Sequence, residues 1–270
     1  MSALADATGR IHRRAAAAAR IVSLVPSVTE LLFDLGLGPQ VAGRTTFCIH
    51  PRDGVAEVPR VGGTKTPNLA RIARLGASHV IVNVDENRRE DAQALAAAGL
   101  SVIATHPQQP LDNLHLYRLL GQVFAREDEA QALCAEFSGA LAELQQAAAS
   151  RPRRRVLYLI WRKPWMTVSP ATYIARCLAA AGLDTQAPDT GDRYPRLELG
   201  RDAVAGVDAV LLSSEPYPFK HRHVREVRQA CAQPRLPVCA IDGEMTSWYG
   251  SRAIAGCRYL IRFAEELARP

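Results

Sequence analysis

Short apolar runs of strand length alternate with helix-length stretches along most of the chain, and this alternation limits the possible folds more than any other feature. The first half contains four such runs, at 21–25, 41–45, 79–83 and 101–105. Their length and continuous apolar character are typical of buried strands. Because strands that alternate with helices form parallel sheets covered by those helices, we predict an α/β fold.

A stretch without strands separates this half from a second alternating half. After Pro110 the pattern is helical to about Ala149, and its second part carries one apolar stripe, formed by Leu133, Phe137, Leu141 and Leu144. A helix over 127–149 would be about 34 Å long at 1.5 Å per residue. The alternation then resumes, with predicted strands at 156–160, 209–213 and 238–241.

The two halves repeat the same order of elements. Residues 71–106 and 201–242 both run short helix, strand, polar loop, helix, strand. We therefore interpret the chain as two similar α/β lobes with central sheets, joined by one long backbone helix. The predicted boundaries are 20–125 for the N-terminal lobe, 126–151 for the linking helix and 152–270 for the C-terminal lobe.

Two local predictions accompany this division. Ser27 and Glu30 have the spacing of a capping box, in which Ser27 is the N-cap of the first helix and Glu30 reaches back to it. The stretch 47–67 is rich in Pro and Gly and is predicted to be a loop.

Composition narrows the class of protein. The 270 residues include 33 Lys and Arg against 27 Asp and Glu, and 48% are hydrophobic, which is usual for a globular protein and excludes a disordered chain. No run of about 18 apolar residues predicts a membrane span. The basic residues are scattered, and the one dense run, at 151–155, is interpreted as a solvated linker, so no nucleic-acid partner is expected.

The N-terminus predicts a cytoplasmic protein. Only five alanines, 15–19, stand between Arg14 and Arg20, whereas a secretory signal needs an apolar region of about 7–15 residues. The even number of cysteines, six, would allow disulfides in an oxidising compartment, but nothing in their spacing defines pairs.

Motifs of catalysis are absent from the sequence. It has no G-x-S-x-G, H-E-x-x-H, P-loop or G-x-G-x-x-G, so we predict a protein that is not an enzyme, with no catalytic residues and no required cofactor. The pair Cys48 and His50 is a candidate metal site, because two soft ligands one residue apart can chelate a divalent ion. The pair His221 and His223 is interpreted as a basic surface patch.

Polar and aromatic residues collect where the predicted strands end, and ligands of open α/β sheets bind beyond those ends. All three tryptophans lie in such loops of the second lobe: Trp161, Trp165 and Trp248. Aromatic side chains in loops are typical of a site for a flat or extended ligand. We therefore take Tyr217, Tyr249 and Arg252 as further candidate ligand contacts.

Four segments resemble the class III substrate-binding proteins of ABC transporters, the helical-backbone receptors for cobalamin, iron-siderophores, haem and some metals. They are RIVSLVPSVTELLFDLGLGPQVAG, VPRVGGTKTPNLARIARLGASHVIVN, RRRVLYLIWRKPWMTVSPATYIARCLAAAGL and IDGEMTSWYGSR. The likeness is strongest to the members that bind vitamin B12 and extends over about 20–267. It implies two lobes with a ligand cleft between them.

The resemblance also implies residues and partners. Trp165 and Trp248 match the aromatic residues that hold a corrinoid in the B12-binding members, with Phe47 and Asn83 opposite them. A small-molecule ligand and an ABC permease are the implied partners, and the periplasm is the compartment usual for the family. Exported members dock on the permease through one acidic residue on each lobe, whereas this chain has Arg89, followed by Glu90, at the first position and Gly250 at the second.

These observations lead to one main hypothesis and leave two further ones open. The main hypothesis is a non-catalytic binding protein for a cobalamin-like corrinoid or a related metal-containing small molecule. The alternative within the class is a siderophore, haem or metal-ion receptor, with Arg44, Arg88, Arg162 and Arg252 favouring an anionic chelate and Cys48 with His50 favouring a bare ion such as zinc. The alternative of another class is a cytoplasmic enzyme or a regulatory protein that acts on such a ligand, with Asp85, Glu86 or Cys48 as the reacting groups of an enzyme.

Overall fold

A computed structural model describes residues 4–269, and within them the chain forms two compact units. The first unit takes the described residues up to Pro107, then Leu111–Phe137 and Tyr249–Arg252. The second takes Gln108–Pro110, Ser138–Trp248 and the residues from Ala253 onward. Each unit contains its own sheet, so the prediction of two α/β lobes is confirmed.

The elements of the first unit follow the predicted alternation. In chain order they are β1 (Ile21–Ser23), α1 (Pro26–Asp34), β2 (Val41–Arg44), α2 (Arg52–Val55), α3 (Leu69–Arg74), β3 (His79–Asn83), α4 (Arg89–Ala97), β4 (Ser101–Thr105) and α5 (Asp112–Phe124). The four strands pair in the order β2-β1-β3-β4, and every pair is parallel. Their carboxyl ends therefore meet at one edge of the sheet. The short helix α2 lies inside the stretch that was predicted to be a loop.

The predicted capping box at the start of α1 is wrong. Helix α1 begins at Pro26, its N-cap is Val25, and no side chain caps it. Proline at the first helical position supplies the required φ and has no N–H that needs a partner. Glu30 instead forms an ion pair with Arg252.

An N-terminal segment, residues 4–20, packs against the edge strand β4. Asp6 is its main polar anchor, because Asp6 Oδ2 accepts hydrogen bonds from the Ala104 backbone N–H at 3.1 Å and from His12 Nε2 at 2.9 Å. Asp6 Oδ1 accepts from the backbone N–H groups of Thr8 at 2.8 Å and of Arg10 at 3.1 Å. The segment thereby supplies partners to a strand edge that would otherwise be open.

Helix α6 (Glu127–Ala149) has the predicted bounds and belongs to the first unit up to Phe137 and to the second from Ser138. The elements after it are β5 (Arg154–Trp161), β6 (Trp165–Thr167), α7 (Tyr173–Ala180), β7 (Leu183–Thr185), β8 (Arg196–Leu197), β9 (Ala209–Ser213), α8 (His221–Cys231), β10 (Val238–Ile241), α9 (Gly243–Ser247) and α10 (Arg252–Ala268). Two single-turn 3₁₀ helices, Gly38–Gln40 and Asp202–Val204, complete the described elements.

The second sheet has the strand order β10-β9-β5-β6-β8, with β7 paired to β5. Strands β9 and β10 are parallel neighbours, as β3 and β4 are in the first unit, so the predicted repeat of elements is confirmed. The basic run at 151–155 is not a linker: Arg154 and Arg155 open β5, Arg153 is bound to Asp184, and Arg151 is 3.8 Å from Glu265. No helix within residues 4–269 is long and apolar enough to cross a membrane.

Each unit buries an apolar core beneath its sheet. Val22, Val80 and Val102 of the first unit lie in one cluster that joins three parallel strands to the helices beside them. Leu157, Val210 and Val238 take the corresponding places in the second unit. These cores hold the strands in place. The candidate site residues lie at the ends of those strands or in the loops that follow them.

Candidate functional site

Three large apolar side chains are exposed at the carboxyl edge of the first sheet. Phe47 and Ile49 follow β2, and Val84 follows β3, with exposed fractions of 59%, 48% and 52%. The ring of Phe47 stands beside Gly63, where a Cβ would lie 3.5 Å from Phe47 Cε2. Phe47, a predicted ligand contact, is thus exposed, and Ile49 and Val84 are exposed at the same edge of the sheet.

Asn83 is buried at this edge and binds the protein itself. Its side chain donates to Thr105 Oγ1 at 3.3 Å, and its backbone N–H donates to Asn87 Oδ1 at 2.7 Å. Asn87 Nδ2 in turn donates to the backbone oxygens of Leu24 and Thr64. These bonds connect the ends of β1, β3 and β4 with the loop around Thr64. Asn83 therefore has a structural role at this edge, beneath the exposed side chains.

Cys48 lies between the exposed Phe47 and Ile49, yet its own side chain is fully buried. Its Sγ is 3.0 Å from Thr29 Oγ1 and 3.1 Å from Thr45 Oγ1. Burial raises the pKa of the Cys48 thiol, which keeps it protonated at neutral pH, whereas a metal ligand must be a thiolate. The predicted pair with His50 thus has one member enclosed by protein groups, with two threonine hydroxyls beside its sulfur.

The segment Tyr249–Arg252 binds to the first unit through its side chains and its backbone. The Tyr249 hydroxyl donates to Glu86 Oε1, and Arg252 holds both oxygens of Glu30 at 2.7 Å. Burial, followed by the charge of Glu86, raises the pKa of Tyr249 and keeps it a neutral donor. Both predicted ligand contacts thus already have partners within their own unit.

The backbone of Gly250 is held by two hydrogen bonds to side chains of α5. Its N–H donates to Asn113 Oδ1 at 2.7 Å, and its carbonyl accepts from the Tyr117 hydroxyl at 2.9 Å. Gly250 is buried with a φ of +83°, and a Cβ there would meet Ser27 O at 3.2 Å. A surface acid cannot occupy this position, so Gly250 does not correspond to a docking residue.

Aromatic rings gather at the carboxyl edge of the second sheet. Trp161, the last residue of β5 and 39% exposed, meets Tyr217 edge-to-face at 5.7 Å. Tyr217 contacts Phe219 at 4.8 Å, and Phe219 stacks on Trp165 at 6.0 Å with 4° between the planes. The predicted residues Trp165 and Tyr217 are thus brought together, and Trp161 and Phe219 join them. We call these four rings the aromatic wall.

His223 supports the aromatic wall from within. It is buried, not part of a surface patch as predicted, and its ring lies 5.5 Å from the rings of both Tyr217 and Phe219. Its Nδ1 accepts from the Lys220 backbone N–H at 2.8 Å. Burial, with the nearby charge of Arg222 adding to it, lowers the pKa of His223 and keeps the ring neutral.

Trp248 is 8% exposed, so it is held inside its unit and does not stand free in a loop. Its Nε1 donates to Glu215 Oε1 at 2.8 Å, and the Ser247 hydroxyl donates to the same oxygen at 2.6 Å. Burial raises the pKa of Glu215, repulsion from Glu244 and Asp242 adds to this rise, and the two hydrogen bonds oppose it.

All four arginines that would favour an anionic ligand have partners within the protein. Arg44 is buried and donates to the backbone oxygens of Val55, Thr45 and Cys48. Arg162 is bound to Glu226 at 2.8 Å, and Arg252 to Glu30. Arg88 is largely exposed, 3.7 Å from Glu90. Within residues 4–269, no group of three or more His, Cys, Asp or Glu side chains is arranged to hold a metal ion.

Several residues of these edges were not selected from the sequence as ligand contacts. Ile49 and Val84 were missed because an isolated apolar residue in a polar loop has no periodicity. Phe219 and Glu215 were recognised only as residues after a strand. For Ile49, Val84 and Phe219 the signal that could have found them is their position after a parallel strand combined with an apolar side chain in a loop. For Glu215 the position after the strand is the only signal.

Comparison with known proteins agrees with this architecture. A vitamin B12-binding protein of Pectobacterium atrosepticum is 21% identical over 255 residues, which cover 92% of this chain and 89% of that protein. A Bacillus subtilis ABC transporter substrate-binding lipoprotein is 29% identical over 133 residues, 48% of this chain and 41% of that protein's length.

Solved structures share the fold. The periplasmic vitamin B12 binding protein of Vibrio cholerae superposes with a TM-score of 0.79 at 18% identity, covering 93% of this chain and 98% of that one. A periplasmic heme-binding protein from Roseiflexus sp. RS-1 superposes with a TM-score of 0.81 at 21% identity, covering 93% and 99%.

The family model for periplasmic binding proteins matches residues 21–225, from the first strand of the first unit into helix α8 of the second. The match therefore includes the whole first sheet, the long helix α6 and every strand of the second sheet except β10. Because it covers more than half of the 270 residues, this chain belongs to the periplasmic binding protein family.

Proposed function

We propose that this protein is a non-catalytic substrate-binding protein of the ABC-transporter type whose ligand is a cobalamin-like corrinoid. The relatives named for vitamin B12 binding support the ligand class, and the lipoprotein relative named as a transporter component supports the transporter type. An ABC permease is then the protein partner. In line with the family description, we place the protein in the periplasm, instead of the cytoplasm that the N-terminal composition suggested.

One observation carries the proposal. Among the described residues, six large hydrophobic side chains are exposed, and four of them lie at the carboxyl edges of the two sheets: Phe47, Ile49, Val84 and Trp161. Covering such surface with an apolar ring system is favourable by about 25 cal/mol per Å² before the losses on ordering. A ligand with apolar faces, bound at a sheet edge, accounts for the exposure of such side chains.

The contacts that Arg44, Arg162 and Arg252 make within the protein favour a corrinoid over an anionic chelate as the ligand. A haem presents two carboxylates and a ferric siderophore is often anionic, so each is best bound by arginines without carboxylate partners. Arg162 and Arg252 already hold Glu226 and Glu30, and Arg44 donates to backbone oxygens. A corrinoid surrounded by neutral amides does not need those charges.

A metal-ion receptor and an enzyme both have less support in the contacts. A bare metal ion would need Cys48 as a thiolate, and that thiol is buried between two threonines. An enzyme acting on the same ligand would use Asp85 or Glu86, but Glu86 is bound to Tyr249, and Asp85 Oδ1 lies 3.4 Å from His106 Nε2.

The test is a titration of the purified protein with cyanocobalamin, cobinamide, haemin, a ferric siderophore and zinc, followed by absorbance and calorimetry. We expect a corrinoid to bind, and Phe47→Ala and Trp161→Ala each to weaken binding about tenfold or more. Each variant removes a large apolar contact, and 1.4 kcal/mol corresponds to a factor of ten. Ile11→Ala is the matched control, because Ile11 is 60% exposed but lies in the N-terminal segment.

The outcomes distinguish the candidate functions. Binding of haemin or the siderophore without a corrinoid would overturn the ligand class and leave the binding function. Turnover of the bound ligand would establish the enzyme hypothesis instead. Binding of none of the probes would overturn the proposed function.

A further inference from the structure

Glu215 lies near the aromatic wall in sequence and binds the side chain of Trp248. It follows β9 at the carboxyl edge, two residues before Tyr217 of the aromatic wall. Its Oε1 receives the indole N–H of Trp248 and the hydroxyl of Ser247, both from the C-terminal end of α9. One carboxylate oxygen therefore joins the loop after β9 to the residue that follows α9.

The backbone beside Glu215 is held as firmly as its side chain. The Ser213 hydroxyl donates to the Glu215 carbonyl at 2.6 Å, and Ser213 Oγ accepts from the Tyr158 hydroxyl at 2.9 Å. The Ser214 hydroxyl accepts from the Gly243 N–H at 2.8 Å. The loop thus has little freedom to move against β5 or α9.

The start of helix α9 packs closely against the loop after β9 at Gly243. A Cβ at Gly243 would overlap Glu215 Cγ and would lie 2.6 Å from Ser213 Oγ. Helix α9 therefore approaches the loop as closely as glycine permits, and Glu215 packs against Gly243. A partly buried charged acceptor with two donors makes hydrogen bonds that are stronger than those between neutral groups.

From these contacts we propose that Glu215 is a positioning residue: it fixes the Tyr217–Phe219 part of the aromatic wall relative to Trp248 and thereby sets the surface that meets the ligand. This inference rests on the proposed function, because ligand affinity is its main readout. Its second readout, the environment of the indole rings, does not depend on any ligand.

The experiment compares wild type, Glu215→Ala and Glu215→Gln for affinity to cyanocobalamin and for near-ultraviolet circular dichroism of the free protein. The amide of glutamine keeps an oxygen acceptor at the same distance, whereas alanine removes it. We expect Glu215→Ala to bind about tenfold more weakly and to lose indole ellipticity, and Glu215→Gln to stay within about threefold of wild type. Glu198→Ala is the control, since Glu198 is an exposed glutamate of the same unit.

Ser247→Ala serves if Glu215→Ala fails to fold. It removes one of the two donors to Glu215 Oε1, and we expect binding weaker by about threefold with a native far-ultraviolet spectrum. Wild-type affinity and indole ellipticity in Glu215→Ala, or in Ser247→Ala where that variant replaces it, would overturn the positioning role. Equal weakening in the alanine and glutamine variants would overturn it too, because charge and not acceptor position would then matter.

The two proposals fail in different ways. If wild type binds no corrinoid, the proposed function is wrong, and the ellipticity of the free variants still decides the role of Glu215. If wild type binds and the Glu215 variants are unchanged, only the positioning role is wrong.

Discussion

Asp6 is a buried carboxyl group and Glu215 a partly buried one, and their surroundings shift their pKa values in opposite directions. Burial works to raise the pKa of Asp6, but hydrogen bonds from Thr8, His12 and Ala104 outweigh it and hold that pKa below its usual value. Burial raises the pKa of Glu215, and its two hydrogen bonds do not compensate. Asp6 has more hydrogen-bond donors than Glu215, and Glu215 also faces the charges of Glu244 and Asp242, so the two shifts have opposite signs.

Asp6→Asn is expected to lower the free energy of unfolding most at neutral pH. Because the pKa of Asp6 is depressed in the folded protein, its contribution is present above the ordinary carboxyl pKa and is lost as the pH falls through the lower folded value. We expect a loss of about 1–3 kcal/mol at pH 7 that shrinks toward acid, measured by urea unfolding between pH 3 and 8.

Glu215→Gln is the control of opposite sign in that pH series. The ionised Glu215 destabilises the folded protein above its raised pKa, and this penalty disappears as the pH falls. Relative to wild type, Glu215→Gln should therefore be most favourable at neutral pH and least favourable in acid. If the differences from wild type do not vary with pH for either variant, the assigned shifts are wrong.

At the scale of elements, the short segment Tyr249–Arg252 shows how backbone conformation excludes a side chain. Gly250 joins α9 to α10 with a φ of +83°, and its N–H and carbonyl are both bound to side chains of α5. The absence of an acidic side chain at this position, noted from the sequence, has a physical reason, namely burial and backbone conformation. An alignment by motif alone has no access to either.

Gly250→Ala is expected to destabilise the protein by more than Gly9→Ala. Both glycines have left-handed φ values, +83° and +82°, so each alanine variant carries a backbone penalty of about 1–2 kcal/mol. Only at Gly250 does the added Cβ also meet neighbours, Ser27 O at 3.2 Å and Leu31 Cβ at 3.3 Å, while nothing lies within 4 Å at Gly9. Urea unfolding of the two variants measures the difference, and equal losses would show that packing at Gly250 is loose.

At the scale of the whole molecule, ligand binding and stability are linked. A ligand that binds the folded chain alone adds about 2.7 kcal/mol to the free energy of unfolding at a hundred times its Kd. We expect the Tm to rise steadily with cyanocobalamin concentration in wild type and in Ile11→Ala, and to rise less in Phe47→Ala. A Tm that does not respond to a ligand shown by calorimetry to bind would mean that unfolding is not at equilibrium.

Much of the architecture could be predicted from local patterns. The bounds of β3, β4, β9, β10 and α6 agree with the predicted ranges, because each is a continuous apolar run or a regular apolar stripe bounded by turn residues. The short elements α2, β7 and β8 were missed, since two to four residues contain no period. The start of α1 was misjudged because a serine beside Pro26 has the composition of a cap without its geometry.

From the sequence, only the location of the candidate site at the sheet edges could be predicted. Local sequence determines where strands end, and parallel strands bring those ends to one edge, so the chain alone placed Phe47, Trp165 and Tyr217 at sheet edges. Whether a side chain there points outward depends on contacts between residues far apart in sequence. Tertiary structure alone decided that Trp161 is exposed while Trp248 is held by Glu215, and that Cys48 is buried while Phe47 beside it is not, because burial and hydrogen bonding are properties of the packed molecule.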